Sequence, residues 1–385
     1  MKASADLTQP QIATDKAFHF GYFPQLDGLR GLSILFVLVA HTFLDKAGAL
    51  GGLGVMLFFV LSGFLITGLL WRESESFGRI GIKFFYARRA LRILPAFLVF
   101  MAVCSVLVAR GFITDVRWYT VAVSCLYLNN IFGSGLSLSH LWSLSLEEQF
   151  YLIWPLAISR LGRRWTLPVA SLVALAIVAA RGVAIRAHLF QYYSAVFYER
   201  PWFRFDSILA GCCLALLLAR SKETAASTRR IATWAPSYLT LPLAVLWTLY
   251  ADGMNALHPI YLTVQMLWTV LALAHIATSP DSAISPLLST RGMKYLGHLS
   301  YSLYLWQQIF LVTKSPNWGW IRHFPFSLLA SLCAALTFYY LIEKPFLRWK
   351  STFERNRIAA ARERSQRLPQ IFELEASALE VATES

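Results

Sequence analysis

Charged residues are scarce in this chain, and their scarcity argues against a soluble protein. Asp, Glu, Lys and Arg make up 15% of its 385 residues, while 57% are hydrophobic and the mean hydropathy is +0.52. Soluble globular domains carry roughly 25% charged residues. The composition therefore predicts a polytopic membrane protein, with membrane lipid as its surroundings.

Cysteine and acidic side chains are also few. The five cysteines all stand in apolar stretches, and their spacing suggests neither a metal site nor a disulfide framework. Only 21 acidic residues face 35 lysines and arginines, which gives a net charge of +14. These basic residues form short blocks between apolar runs, a pattern typical of cytoplasmic loops. We therefore expect no metal and no nucleic-acid partner.

The apolar runs predict an all-α transmembrane helical bundle, because crossing the hydrocarbon core takes about 20 residues. The predicted spans number about ten: 30–49, 51–71, 93–110, 140–159, 167–187, 203–220, 234–251, 259–278, 296–313 and 324–343. A further apolar stretch, 118–132, is short and contains two asparagines, so we interpret it as a re-entrant or interfacial segment.

The basic blocks also predict the orientation. Most of them fall on one side of a ten-span arrangement, which places both termini and the loop 72–93 in the cytoplasm. The first twenty residues lack an apolar segment, so no cleavable signal peptide is expected. We divide the chain into a cytoplasmic segment (1–25), a membrane domain (26–350) and a cytoplasmic tail (351–385), whose alternating Arg and Glu predict a fraying surface helix.

The first predicted span carries two ionisable residues, Arg30 at its entrance and His41 in its middle. Eleven residues of helix rise about 16 Å, which puts His41 near the bilayer midplane. An ionisable residue at that depth is costly and usually has a function or a partner. His41 is therefore a candidate general acid or base; the alternative is a histidine hydrogen-bonded to a neighbouring helix.

The stretch "HLWSLSLEEQFYLIWP" (140–155) supplies a candidate partner for His41. Glu147 and Tyr151 are four residues apart and share a helix face, with Ser145 near the same edge. Glu148 points about 100° away, so the two carboxylates are not expected to play the same role. The alternative is an interfacial cap near the outer headgroups.

Three further groups of residues could be functional or merely structural. Arg88, Arg89 and Arg92, in the predicted cytoplasmic loop 84–95, could grip an anion or simply be topology signals. Ser62 and Gly63, in mid-span, favour close helix packing. Arg204 and Asp206 are predicted at an outer boundary, either lining a polar vestibule or snorkelling to the interface.

Together these stretches resemble the acyltransferase-3 family of integral-membrane acyltransferases, which includes O-antigen and Nod-factor acetylases. The resemblance covers about Leu26 to Lys350. It rests on Arg30 with His41, on Arg89 with Arg92, on Ser145, Glu147 and Tyr151, and on the segments "FFVLSGFLIT" and "LGHLSYSLYLW". Many relatives carry a histidine directly after "LYLW", where this chain has Gln307, so we assign that position no catalytic role. The short tail predicts no fused SGNH-type hydrolase domain.

The resemblance implies a membrane O-acyltransferase of the bacterial inner membrane. The donor would be an acyl-CoA, most simply acetyl-CoA, held by Arg30, Arg88, Arg89 and Arg92, with no permanently bound cofactor. The acceptor would be a hydroxyl of a surface or lipid-linked glycan, such as O-antigen or another lipopolysaccharide part, an exopolysaccharide or a lipo-oligosaccharide. His41 would act as base or acyl carrier, oriented by Glu147.

Two alternatives stay open at this point. The acceptor could be a small secreted metabolite such as a macrolide, which the sequence does not separate from a glycan. The chain could also be a non-enzymatic transporter of lipid-linked sugars, although it lacks the paired, broken helices that transporters often show.

Overall fold

The computed structural model describes residue 18 and residues 20–43, 47–189, 199–252, 258–312 and 315–355, and every regular element in these ranges is helical. The predicted segment 1–25 and tail 351–385 therefore lie largely outside the described residues. The helices are α1 Pro24–Thr42, α2 Ala49–Phe77, α3 Ile82–Ala109, α4 Trp118–Cys125, α5 Asn129–Phe132, α6 Leu141–Arg186, α7 Pro201–Arg220, α8 Lys222–Trp234, α9 Ser237–Asp252, α10 His258–Thr278, α11 Ser285–Leu288, α12 Arg291–Leu311 and α13 Phe326–Arg355.

The all-helical prediction is confirmed across the described residues, but the number of spans is not. Six helices are long and apolar enough to cross a membrane, namely α2, α3, α6, α7, α10 (as Ile260–Thr278) and α13. Helices α1, α9 and α12 also coincide with predicted spans. The count of ten stays a prediction.

Helix α6 contains two of the predicted spans. The predicted loop at 160–165 is a break at one residue, Gly162, whose φ of 64° and ψ of 178° lie outside the helical region. A positive φ costs glycine little, because it has no Cβ. Two helical segments thus follow one another with almost no connecting chain.

The predicted loop 72–93 is mostly helix, while its cytoplasmic location stays a prediction. Helix α2 continues to Phe77 and α3 begins at Ile82, leaving four residues between them. Gly78 ends α2 with a φ of 68°, as glycine commonly does after a helix. Arg88, Arg89 and Arg92 therefore project from α3 rather than from a loop.

The segment 118–132 folds as two short helices, α4 and α5, which are too short to cross a bilayer. Asn130, the second of its two asparagines, anchors it to α6. The side-chain amides of Asn130 and Gln149 each donate to the other at 2.9 Å, and Gln149 also donates to the Tyr127 carbonyl at 2.8 Å. This places the segment beside the two glutamates that precede Gln149.

The helix ends gather in two sets, as expected for helices that alternate in direction. At one end, Gln25 donates to the Pro280 carbonyl, and the Arg163 guanidinium lies 4.7 Å from the Trp71 ring centre. At the other end, the rings of Phe43 and Phe324 are 5.6 Å apart. The start of α1 and the end of α2 thus lie opposite the end of α1 and the start of α13.

Backbone contact at glycines holds the central helices together. A Cβ on Gly63 of α2 would lie 2.0 Å from the Ile208 carbonyl oxygen, and one on Gly211 of α7 would lie 1.9 Å from that of Val60. The α1–α12 pair meets in the same way, since a Cβ on Gly297 would lie 1.9 Å from the Asp27 carbonyl oxygen. The expected role of Gly63 in close packing is confirmed.

The Arg204 and Asp206 pair does not line a vestibule. Both residues are about 99% buried, and Asp206 forms an ion pair of 2.8 Å with Arg181 of α6. Arg181 also donates to the Phe203 carbonyl at 2.7 Å. Neither interpretation of the pair, a lined vestibule or snorkelling to the interface, agrees with this burial, because α6 packs over this part of α7 and supplies a buried counter-ion.

We predict that Gly211→Ala reduces the stability of the protein, by about 1–3 kcal/mol or more, because the added methyl group must push α2 and α7 apart. The matched control is Gly182→Ala, where no atom lies within 4 Å of the added carbon. Thermal unfolding of the detergent-purified variants measures the effect. Equal melting temperatures for the two variants would contradict this packing argument.

Candidate active site

A cavity of about 100 Å³ opens between α1, α2, α3, α6 and α12. Aromatic and aliphatic side chains form much of its wall, among them Phe58, Phe59 and Val55. The polar residues of the wall are Arg30, Ser62, Arg89, Arg92, Ser143, Glu147, Tyr151, Ser300, Tyr301 and Tyr304. Such an apolar cavity with convergent polar groups is typical of a ligand site.

Three guanidinium groups face this one cavity, and we call Arg30, Arg89 and Arg92 the arginine group. Glu147 is the carboxylate that lines the cavity with them. Arg30 also lies 4.0 Å from Asp27, whose carboxylate accepts a hydrogen bond of 2.8 Å from Tyr22. That hydrogen bond raises the pKa of Tyr22. The cavity thus carries an excess of positive charge and suits an anion.

Arg89 is held from two sides. Its guanidinium lies 3.6 Å from the centre of the Tyr151 ring, a cation–π contact, and it pairs with Glu148 at 3.3 Å. Glu148 does not line the cavity, in agreement with its expected direction about 100° from Glu147. Its contact with Arg89 was not expected, because the sequence analysis placed this arginine in a loop, whereas α3 begins at Ile82 and includes it.

The hydroxyl groups of the wall form hydrogen bonds with each other. Tyr151 bonds to Ser62 of α2, and Tyr304 of α12 bonds to Ser143 of α6. Tyr304 also donates to the His140 carbonyl at 3.0 Å. These pairs join α2, α6 and α12 across the cavity. Sequence reasoning missed Ser143 and Tyr304, since a neutral hydroxyl in an apolar run gives no signal of its own.

Ser145 and Arg88 lie outside the cavity. Ser145 is fully buried and its hydroxyl donates to the Leu141 carbonyl at 2.8 Å. Arg88 pairs with Glu73 of α2 at 2.8 Å and approaches Glu354 of α13 at 3.7 Å. Arg88 is thus engaged by two carboxylates and does not face the cavity with Arg89 and Arg92, and its role in binding an anion stays a prediction.

His41 has a different partner from the one predicted. Its Nδ1 atom lies 2.7 Å from Oε1 of Gln307, a fully buried residue of α12. Glu147, which was expected to orient the imidazole, lines the cavity with the arginine group instead. The signal for Gln307 was present in the sequence as the departure from histidine after "LYLW", but nothing there connected it with His41.

The His41–Gln307 pair is not part of the cavity wall, but one helical turn connects it with that wall. Tyr304 lines the cavity and stands three residues before Gln307 on α12, a rise of about 4.5 Å. Arg30, which also lines the cavity, lies on the same helix as His41. In the part of the chain that the structure describes, no three His, Cys, Asp or Glu side chains are grouped as metal ligands.

Comparison with protein families identifies one match. The acyltransferase-3 family model, described as an acyltransferase domain, matches residues 23–342. The match includes α1, the whole cavity wall and both members of the His41–Gln307 pair. No solved structure matches the chain.

Curated relatives with similar sequences are bacterial O-acetyltransferases. A putative peptidoglycan O-acetyltransferase of Bacillus subtilis is 30% identical over 86% of this chain and 56% of its own length. The peptidoglycan O-acetyltransferase OatA of Listeria monocytogenes is 30% identical over 77% of this chain and 50% of its own length. A putative O-acetyltransferase of Staphylococcus aureus is 31% identical over 74% of this chain and 50% of its own length. The chain spans about half the length of these relatives.

We predict that Arg88→Ala lowers the melting temperature of the detergent-purified protein more than Arg92→Ala does. Removing Arg88 leaves the largely buried Glu73 without its 2.8 Å counter-ion, which is costly in a low dielectric. Removing Arg92 instead relieves repulsion from the other two members of the arginine group. Thermal unfolding checks this, and a larger loss for Arg92→Ala would contradict the assignment.

Proposed function

This chain belongs to the acyltransferase-3 family of integral-membrane acyltransferases, and from that membership we propose that it is a membrane O-acyltransferase. It moves an acyl group, most simply acetyl, from a cytoplasmic acyl-CoA to a hydroxyl of a surface glycan. The observation that carries the proposal is the arginine group facing one cavity, whose wall residue Tyr304 lies one helical turn from Gln307, the hydrogen-bond partner of His41.

The arginine group fits the donor because coenzyme A is a phosphorylated nucleotide. Guanidinium groups bind phosphate through paired, charge-assisted hydrogen bonds. Arg30 and Arg92 are the members without a counter-ion closer than 4.0 Å among the described residues, and in this proposal both face the phosphates. Arg89, held by Tyr151 and Glu148, adds positive charge to the same cavity wall. The acyl-CoA is a substrate in this scheme, and no resident cofactor is proposed.

The chemical step assigned to His41 is removal of a proton from the acceptor. The imidazole takes the hydroxyl proton while the oxygen attacks the thioester carbonyl. The new C–O bond forms, the C–S bond breaks, and coenzyme A leaves as a thiol after taking up a proton. Transfer through an acyl-histidine intermediate uses the same residue in two stages. A nitrogen of His41 first attacks the thioester carbonyl, so that a C–N bond forms, the C–S bond breaks and coenzyme A leaves as a thiolate. The acceptor oxygen then attacks the acyl-imidazole, the C–O bond forms, the C–N bond breaks, and the hydroxyl proton goes to the departing thiolate or to water.

The acceptor in this proposal is a glycan hydroxyl outside the cytoplasm. Two of the relatives are named as peptidoglycan O-acetyltransferases, one of them putatively, so peptidoglycan is the first acceptor to test. O-antigen, exopolysaccharide and lipo-oligosaccharide offer the same hydroxyl chemistry. The proposal places the protein in the bacterial inner membrane with both termini cytoplasmic, since the donor is made in the cytoplasm.

We predict that His41→Ala abolishes acyl transfer while leaving the protein inserted. Membrane vesicles receive acetyl-CoA with a labelled acetyl group, and label in the glycan fraction is divided by the amount of inserted protein. The control His298→Ala changes an exposed histidine of α12 and should retain activity. Substantial normalised transfer by His41→Ala would refute the catalytic role. Absence of transfer by the unaltered protein on any glycan tested would favour a small-molecule acceptor or a transporter.

We predict that Arg92→Ala raises KM for acetyl-CoA at least about tenfold, because a hydrogen bond to a charged group contributes roughly 1.5–3 kcal/mol. Arg92→Lys should be only partly restored, since a lysine cannot make the paired contact. The control is Arg110→Ala, at the exposed far end of α3. An unchanged KM for acetyl-CoA in Arg92→Ala would remove this residue from the donor site.

A further inference from the structure

We propose that Gln307 is a positioning residue that fixes the tautomer and orientation of His41 for acyl transfer. The inference rests on the proposed function, because it assigns the partner of the base that this function requires. It replaces the carboxylate that sequence reasoning had placed beside the imidazole with a neutral amide from another helix.

The hydrogen bond between the two side chains determines which ring nitrogen is basic. A neutral imidazole has one N–H donor and one lone-pair acceptor. Oε1 of Gln307 can only accept, so Nδ1 of His41, at 2.7 Å, must be the donor. The lone pair then lies on Nε2, the nitrogen that can take the acceptor's proton. Among the described residues, Nε2 makes no hydrogen bond, so it is available for this task.

Gln307 is itself well fixed. Its side chain is fully buried, and its backbone carbonyl accepts a hydrogen bond of 3.4 Å from Ser331 of α13. The next residue, Gln308, donates to the hydroxyl of Ser139, just before α6. Near Gln307, helix α12 is thus hydrogen-bonded to α13 and to the residues that precede α6. A residue that orients a catalytic group must have its own rotamer restrained in this way.

The amide nitrogen of Gln307 contributes nothing that the proposal needs. Within the described residues, Nε2 of Gln307 has no hydrogen-bond partner. A carboxylate at this position would therefore keep the accepting oxygen and lose no contact, whereas a side chain of equal length without oxygen would lose the hydrogen bond alone. This difference supplies two matched substitutions.

The test compares Gln307→Met with Gln307→Glu in the vesicle assay. Methionine keeps the length and apolar packing, so the inserted amount should change little, while kcat falls about ten- to a hundredfold, as is usual when a supporting hydrogen bond is lost. KM for acetyl-CoA should stay within about twofold of its original value, since Gln307 does not line the cavity near the arginine group. Glutamate should restore kcat to within about threefold. Adding Gln307→Met to His41→Ala should cause no further loss.

The outcomes separate this inference from the proposed function. Full kcat in Gln307→Met with an inactive His41→Ala overturns the positioning role and leaves the proposed function standing. Activity in both variants overturns the proposed function as well. If Gln307→Met does not insert, Gln307→Glu decides alone: near-normal kcat supports the proposal, and inactivity in inserted protein overturns it. Inactivity would mean that the amide donates to His41 instead.

Discussion

A guanidinium group packed over a phenol ring holds the centre of this protein together. Arg89 lies on the face of Tyr151 and pairs with Glu148, so a charge that would be costly inside a membrane is balanced by a ring and a carboxylate. Both partners come from α6, and the contact fixes how α3 lies against it. Arg92, three residues further along α3, depends on this arrangement for its place in the cavity wall.

Much of the architecture could be predicted because a bilayer restricts the choices. Apolar runs near the length of a bilayer crossing must be helices, and nearly all the predicted runs coincide with helices in the described ranges. Ionisable residues in or beside such runs are few and conspicuous. Arg30 and Glu147 could be chosen from predicted spans, and Arg89 and Arg92 from a predicted loop, and all four line one cavity. Their chemical roles stay predictions.

Contacts between distant residues could not be predicted in the same way. Arg88 and Arg92 look alike in the sequence, and only the folded chain shows that Glu73 pairs with the first. His41 and Gln307 are 266 positions apart, and an amide in an apolar helix is as compatible with simple packing as with a role in chemistry. Ser143 and Tyr304 were missed for the same reason. Helix boundaries mattered too. The third span was predicted to begin at residue 93, whereas α3 begins at Ile82. Arg89 was therefore assigned to a loop, and its contact with Glu148 was not expected.

The three like charges of the arginine group also tie the protein's folding equilibrium to its surroundings. Any polyanion that binds between them acts as their counter-ion and binds the folded state alone. By mass action the folded state then gains RT ln(1 + [L]/Kd), about 2.7 kcal/mol when the ligand is present at a hundred times its Kd. In a cell rich in that anion, a larger fraction of this protein would be folded than in a cell that lacks the anion. Its abundance in the membrane would thus follow the supply of its own ligand.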